Sequence, residues 1–210
     1  MIKTFKTLNS GIKNKKFLIK QQYFDNYSFI HINKCGGSSV EDFLKIPKSH
    51  DTAEQRIAQI GSKRWEKNFT FAIIRNPYAR VVSYHKWYFR KYRDQFKEIL
   101  PINNWIEDAF LKNDKDYFNN NPYSKAPCFD WVAIDNDIAV KKIVKLENLN
   151  SEWQELCNNL SITYAPLNVS NRTSMHSVKD ALHILDKDSI DIINNHFEKD
   201  FDIFSYEMSS

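Results

Sequence analysis

The chain has 210 residues, 42% of them hydrophobic, 14% aromatic and 27% charged. A chain of this length buries roughly 70% of its unfolded surface and folds without staples, so the composition excludes a disordered tail, a collagen-like fibre and a disulfide miniprotein. Thirty basic against twenty-six acidic residues leave a net charge of +4, which permits an anionic ligand without demanding nucleic acid.

No stretch approaches the ~18 apolar residues of a membrane span. The first twenty residues alternate basic and apolar side chains and lack the continuous apolar run of a secretory signal. The strongest local charge is Lys13, Lys15, Lys16 and Lys20. It reads as a solvated segment, and it permits peripheral contact with a polyanion or a membrane surface. Cys35, Cys128 and Cys157 are odd in number and scattered, which argues against a disulfide framework and a zinc site. A reducing cytoplasm is the expected compartment.

In chain order, Tyr27–Asn33 reads as a short buried strand. Lys34–Ser38 is a tight turn holding two of the four glycines, Gly36 and Gly37. Ser38–Lys45 has Val40, Phe43 and Leu44 at helical spacing, and Pro47 closes it. Thr52–Ile60 reads as a second helix, with Asp51 or Thr52 as its cap. Asn68–Arg75 is a second buried strand, broken by Asn76 and Pro77, and Ala79–Tyr92 is an aromatic helix. Asp94–Asp130 is helix and loop. Ile138–Leu146 holds strand-like pieces. Asn150–Leu160 is an amphipathic helix with Ser151 as cap, and Ser189–Phe201 is the final helix. Strands alternating with helices predict one α/β domain over 1–210 with a mainly parallel sheet, residues 1–26 forming a peripheral segment. Ligands of such sheets bind outside the strands' carboxyl ends.

Two motifs fall at such ends. IHINKCGGSS (Ile30–Ser39) is a strand, a glycine turn and a helix start. Backbone N–H groups at such a turn form an anion nest, and the helix N-terminus adds its dipole. Ser38 and Ser39 add hydroxyls, and Lys34 adds a charge. The lysine precedes the glycines, whereas a Walker A loop places it after them. FAIIRNPYARVVSY (Phe71–Tyr84) carries Arg75 off a strand end, where a planar guanidinium suits phosphate oxygens.

The first motif resembles the 5′-phosphosulfate loop of PAPS-dependent sulfotransferases, in the carbohydrate (type 2) branch and its bacterial-type members. There the loop reads close to I-P-K-T-G/A-G-T-S. This chain departs with Asn33 for proline, Cys35 for threonine and Ser38 for threonine. The second resembles the 3′-phosphate motif R-[DN]-P-x-x-R-x-x-S, matched at Arg75, Asn76, Pro77, Arg80 and Ser83. The resemblance implies a P-loop-like three-layer α/β/α fold. It implies that Lys34, Cys35, Gly36, Gly37, Ser38, Ser39, Arg75 and Ser83 bind PAPS, with Arg172 over the nucleotide. Cys35 reads as a filler and Arg80 as a structural partner of a carboxylate.

KSHDTA (Lys48–Ala53) resembles the family's H-x-T-A segment, which implies His50 as the base. A neutral imidazole suits that role. His85 and Glu41 are the alternatives, and His31 reads as a core or sheet residue. Lysine and arginine can supply the charge, so no metal is required. IVKLENLNSEW (Ile143–Trp153), PLNVS (Pro166–Ser170) and FEKDFDIFSY (Phe197–Tyr206) resemble later family segments. Trp65, Trp87 and Tyr88 read as core rather than as adenine platforms. The expected reaction is sulfuryl transfer from PAPS to a carbohydrate hydroxyl, with Lys34 and His50 catalytic. A nucleotide kinase with a variant loop and a non-catalytic nucleotide- or glycan-binding protein are the other readings. Phe89–Cys128 is the expected acceptor side.

Overall fold

The computed structural model describes residues 15–95, 98–114, 123–167 and 177–210. The chain divides into two compact units. Met1–Ile74 with Val132–Ser170 forms the first, and Arg75–Trp131 with Asn171–Ser210 the second.

The first unit opens with helix α1 over 15–23. Strand β1 (Tyr27–Ile30) follows, then helices α2 (Gly37–Leu44), α3 (Ala53–Ile60) and α4 (Ser62–Lys67), then β2 (Phe69–Ile74). After the second unit's first segment come a short antiparallel pair, β3 (Ala133–Ile134) and β4 (Asp137–Ile138), then β5 (Lys142–Lys145) and the long helix α8 (Leu149–Asn159). The sheet runs β1-β2-β5, and both pairings are parallel. Register matches Ile30 with Ala72 and Ile74 with Lys145. β2 is central, which explains its continuous apolar run: Phe71, Ala72, Ile73 and Ile74 are all buried.

Most expected elements form, with differences at their edges. β1 stops at Ile30, so His31 lies beyond the strand. Thr52 caps α3: its Oγ1 accepts from Gln55 N at 3.2 Å, and its own N–H donates to Gln55 Oε1 at 2.9 Å. Ser151 does not cap α8. It lies inside the helix, because the chain turns helical through Leu146–Asn148 directly after β5, and its hydroxyl donates to Asn148 O at 2.8 Å. α4 has no sequence signature beyond Trp65, whose indole N–H donates to Ala139 O at 3.0 Å.

The second unit is helical. Its main helix, α5 (Pro77–Lys91), starts with Pro77 at its first position and Asn76 as cap, Asn76 Oδ1 accepting from Tyr78 N at 3.1 Å. α6 (Ile102–Ile106) continues as one π-turn over Glu107–Leu111. α7 (Cys128–Val132), α9 (Val178–Leu182), α10 (Lys187–His196) and α11 (Glu198–Ile203) complete it. The expected final helix is two helices, since Phe197 leaves the helical conformation and caps both. Tyr84, Tyr88, Phe89, Trp105, Phe197 and Phe201 share one core, which explains the aromatic richness of α5. Phe204 is buried and Tyr206 packs against this core.

Candidate active site

The glycine loop belongs to the first unit. Lys34 holds a left-handed backbone, φ 65°, and so does Gly36, φ 80°. For a lysine this conformation costs about 1 kcal/mol, and such strain gathers at functional positions. Gly36 is the N-cap of α2 and offers no side chain to the first-turn N–H groups, and no carboxylate stands in that turn. Those amides and the helix dipole suit an anion. Ser38 and Ser39 are half-buried in the same turn. Cys35 is fully buried, with Sγ 3.5 Å from Asn33 O, which fits a filler.

Gly37 has a different reason to be glycine. A Cβ there would stand 2.1 Å from His31 Cδ2. The His31 ring fills the space that a side chain at 37 would take. It is buried, with Nδ1 2.7 Å from Glu41 Oε1, an approach too bent for a good hydrogen bond. Glu41 is buried on α2 and also accepts from Ser49 N at 3.0 Å.

His50 joins this cluster from the loop before α3. Its Nδ1 lies 3.1 Å from His31 O, and the two rings are 4.3 Å apart. A carbonyl only accepts, so Nδ1 carries the proton and Nε2 is the basic nitrogen of neutral His50. Burial, then the neighbouring His31, push this imidazole below the ordinary histidine range. The bond to His31 O and the carboxylates of Glu41 and Asp51 push back. Arg56 closes the cluster. It is buried, donates Nη2 to Asp51 Oδ2 at 2.8 Å and Ser49 Oγ at 3.0 Å, and lies over the Phe17 ring of α1. Its Nε and Nη1, like Glu41 Oε2, have no hydrogen-bond partner among the described residues. His31 contacts His50 directly, while Glu41 and Arg56 hold its neighbours Ser49 and Asp51. Of His31, Glu41 and Arg56 the sequence offered only Glu41, and as a rival base.

Arg75 and Ser83 belong to the second unit, and both are buried. Arg75 is the residue after β2, and Ser83 lies two turns into α5. Arg80 donates Nη1 to Ala126 O at 2.8 Å and lies over the Phe197 ring. Burial pushes the Asp200 carboxyl above the ordinary carboxylate range, and the Arg80 charge pulls against it. Asp200 is fully buried and accepts from Cys128 N at 2.7 Å and Phe129 N at 2.8 Å, joining α11 to the start of α7. His85 sits between Phe89 and Trp105 and donates Nε2–H to Leu100 O at 2.8 Å. Trp65 and Tyr88 are buried and Trp87 packs on the second unit's core, as their spacing implied. Arg172 lies outside the described residues, as do residues 168–170 of the PLNVS segment.

A parallel α/β sheet with an uncapped, glycine-led helix start after β1 is a framework for handling an anionic group. A family model for the sulfotransferase family matches residues 5–207, and the chain belongs to that family. No curated protein and no solved structure matches it at a significant level. Membership assigns sulfuryl transfer, with a sulfate donor and a hydroxyl acceptor as substrates.

Proposed function

We propose that the protein moves a sulfuryl group from PAPS to a carbohydrate hydroxyl, with His50 as base. The observation that carries this reading is the hydrogen bond from His50 Nδ1 to His31 O, which makes Nε2 the proton acceptor. The rival bases are less suited. His85 spends Nε2–H on Leu100 O inside an aromatic core, and Glu41 is buried against His31 and Ser49 N.

In this reading His50 Nε2 takes the hydroxyl proton as the acceptor oxygen bonds to sulfur. The bond from sulfur to the bridging phosphate oxygen breaks in line, and adenosine 3′,5′-bisphosphate leaves. Lys34 balances charge on that bridging oxygen, helped by the amides of Gly36, Gly37, Ser38 and Ser39. Cys35 fills the loop behind them. Arg75 and Ser83 hold the 3′-phosphate, and Arg172 covers the nucleotide. Positioning and fixed charge carry the catalysis, as in phosphoryl transfer. The sheet is read as the core of a P-loop-like three-layer fold, and 1–210 as one functional domain. The three cysteines are buried and form no disulfide, which suits a reducing cytoplasm.

The test is release of adenosine 3′,5′-bisphosphate from PAPS in the presence of sugars and of small hydroxylated metabolites. Acceptor-dependent release is expected, falling about 10²–10⁴-fold in His50→Ala, with bisphosphate affinity unchanged. Release by His50→Ala at the parent rate would remove His50 from the mechanism. Release only with small metabolites would replace the carbohydrate acceptor.

A further inference from the structure

We propose that the outer face of α1 is a docking surface for an anionic phospholipid bilayer. Of nine large apolar side chains exposed among the described residues, three fall within six positions: Ile19, Tyr23 and Phe24, at 53%, 64% and 77% exposure. Ile19 and Tyr23 are one turn apart on the helix, and Phe24 follows its end. Lys15, Lys16 and Lys20 are exposed on the same side, Lys20 also pairing with Asp25 at 3.0 Å. The opposite side is committed to the fold. Phe17 is buried under the Arg56 guanidinium, and Gln21 is buried, bonded to Asp25 and Ser28.

Charge selects the partner. The first 24 residues hold six lysines and no acidic residue, so the remaining 186 carry 24 basic against 26 acidic residues. The chain's whole positive surplus therefore lies in this segment, and the rest is net −2. Lysines beside exposed aliphatic and aromatic side chains on one helix face are the composition of an interfacial helix. The apolar groups enter the headgroup boundary while the lysines meet anionic lipid. A soluble polyanion would pair the lysines but leave Ile19, Tyr23 and Phe24 in water. A second copy of the chain would set lysine against lysine.

The experiment is co-sedimentation of the full chain with vesicles of phosphatidylcholine, alone or mixed with phosphatidylglycerol. Binding to the mixed vesicles only is expected, released by salt. Lys15→Ala with Lys16→Ala weakens it roughly 25-fold, at about fivefold per lysine. Ile19→Ser, Tyr23→Ser and Phe24→Ser together abolish it. These side chains are exposed, so an unchanged thermal midpoint verifies that the variants fold. Equal binding to both vesicle types, or none to either, overturns the proposal. So does retention on heparin without vesicle binding, or a dimer that the triple serine variant dissolves. None of these outcomes depends on turnover.

Discussion

The Nδ1 of His50 points at the backbone oxygen of His31, 3.1 Å away, and the two imidazoles lie 4.3 Å apart. A proton added to His50 must go to Nε2, which makes the ring a cation beside a second histidine in a partly buried place. Those surroundings hold His50 below the ordinary value of 6.5. With His50 as the proposed base the active form is the neutral one, so kcat/KM is expected to fall on the acid side, with the midpoint of that limb below pH 6.5. An acid limb above 6.5, or one unchanged in His50→Gln, would contradict the assignment.

The same sign governs stability. His50, His85 and His196 are all lowered, in each case first by burial. A histidine lowered in the folded state stabilises fully above its unfolded value and loses that contribution as pH falls through the folded one. Urea midpoints should be flat above pH 7 and decline below about 6.5. A midpoint that rises on acidification through this window would refute the neutral, buried state of these rings.

Gly37→Ala is expected to be damaging despite its small size. The new methyl must displace the His31 ring, and overpacking of this kind costs about 1–3 kcal/mol. Because His31 also anchors His50, turnover should fall by more than stability alone explains. Chemical denaturation and acceptor-dependent release measure the two effects. An alanine variant with parent turnover would separate the His31 ring from the site.

Asp200→Ala tests the second unit. The carboxylate caps two buried amides of α7 and answers the charge of buried Arg80. Its removal leaves the two buried amides without their acceptor, at a cost of about 1–3 kcal/mol for each. A loss under 1 kcal/mol in urea denaturation would show that the clamp contributes little.

The central strand β2 was legible because it is buried on both sides and reads as an unbroken apolar run over Phe71–Ile74. The turn at Gly36 and Gly37 was legible because glycine is scarce elsewhere. Its two reasons were not. Gly36 needs its backbone angle, and Gly37 makes room for a ring six residues back. The helix α4 has no sequence signal, because one tryptophan gives no periodicity. A histidine after an apolar run looks like packing, so the sequence alone marks His31 as core. Its contacts with Glu41 and His50 depend on the tertiary placement of α2 and of the loop before α3. Asp200 belonged to a recognisable segment, but its partners at Cys128 and Phe129 are more than seventy residues away.

The central claim is a donor with phosphate on both the 5′ and 3′ positions, and calorimetric titration tests it most directly. Adenosine 3′,5′-bisphosphate should bind without metal and in preference to ADP and to ATP with magnesium. Arg75→Ala should weaken that binding by roughly 2–5 kcal/mol, as loss of a buried charge partner does, and bring the bisphosphate level with adenosine 5′-monophosphate. Preference for ATP with magnesium, or an Arg75→Ala variant that still distinguishes the 3′-phosphate, would contradict the account.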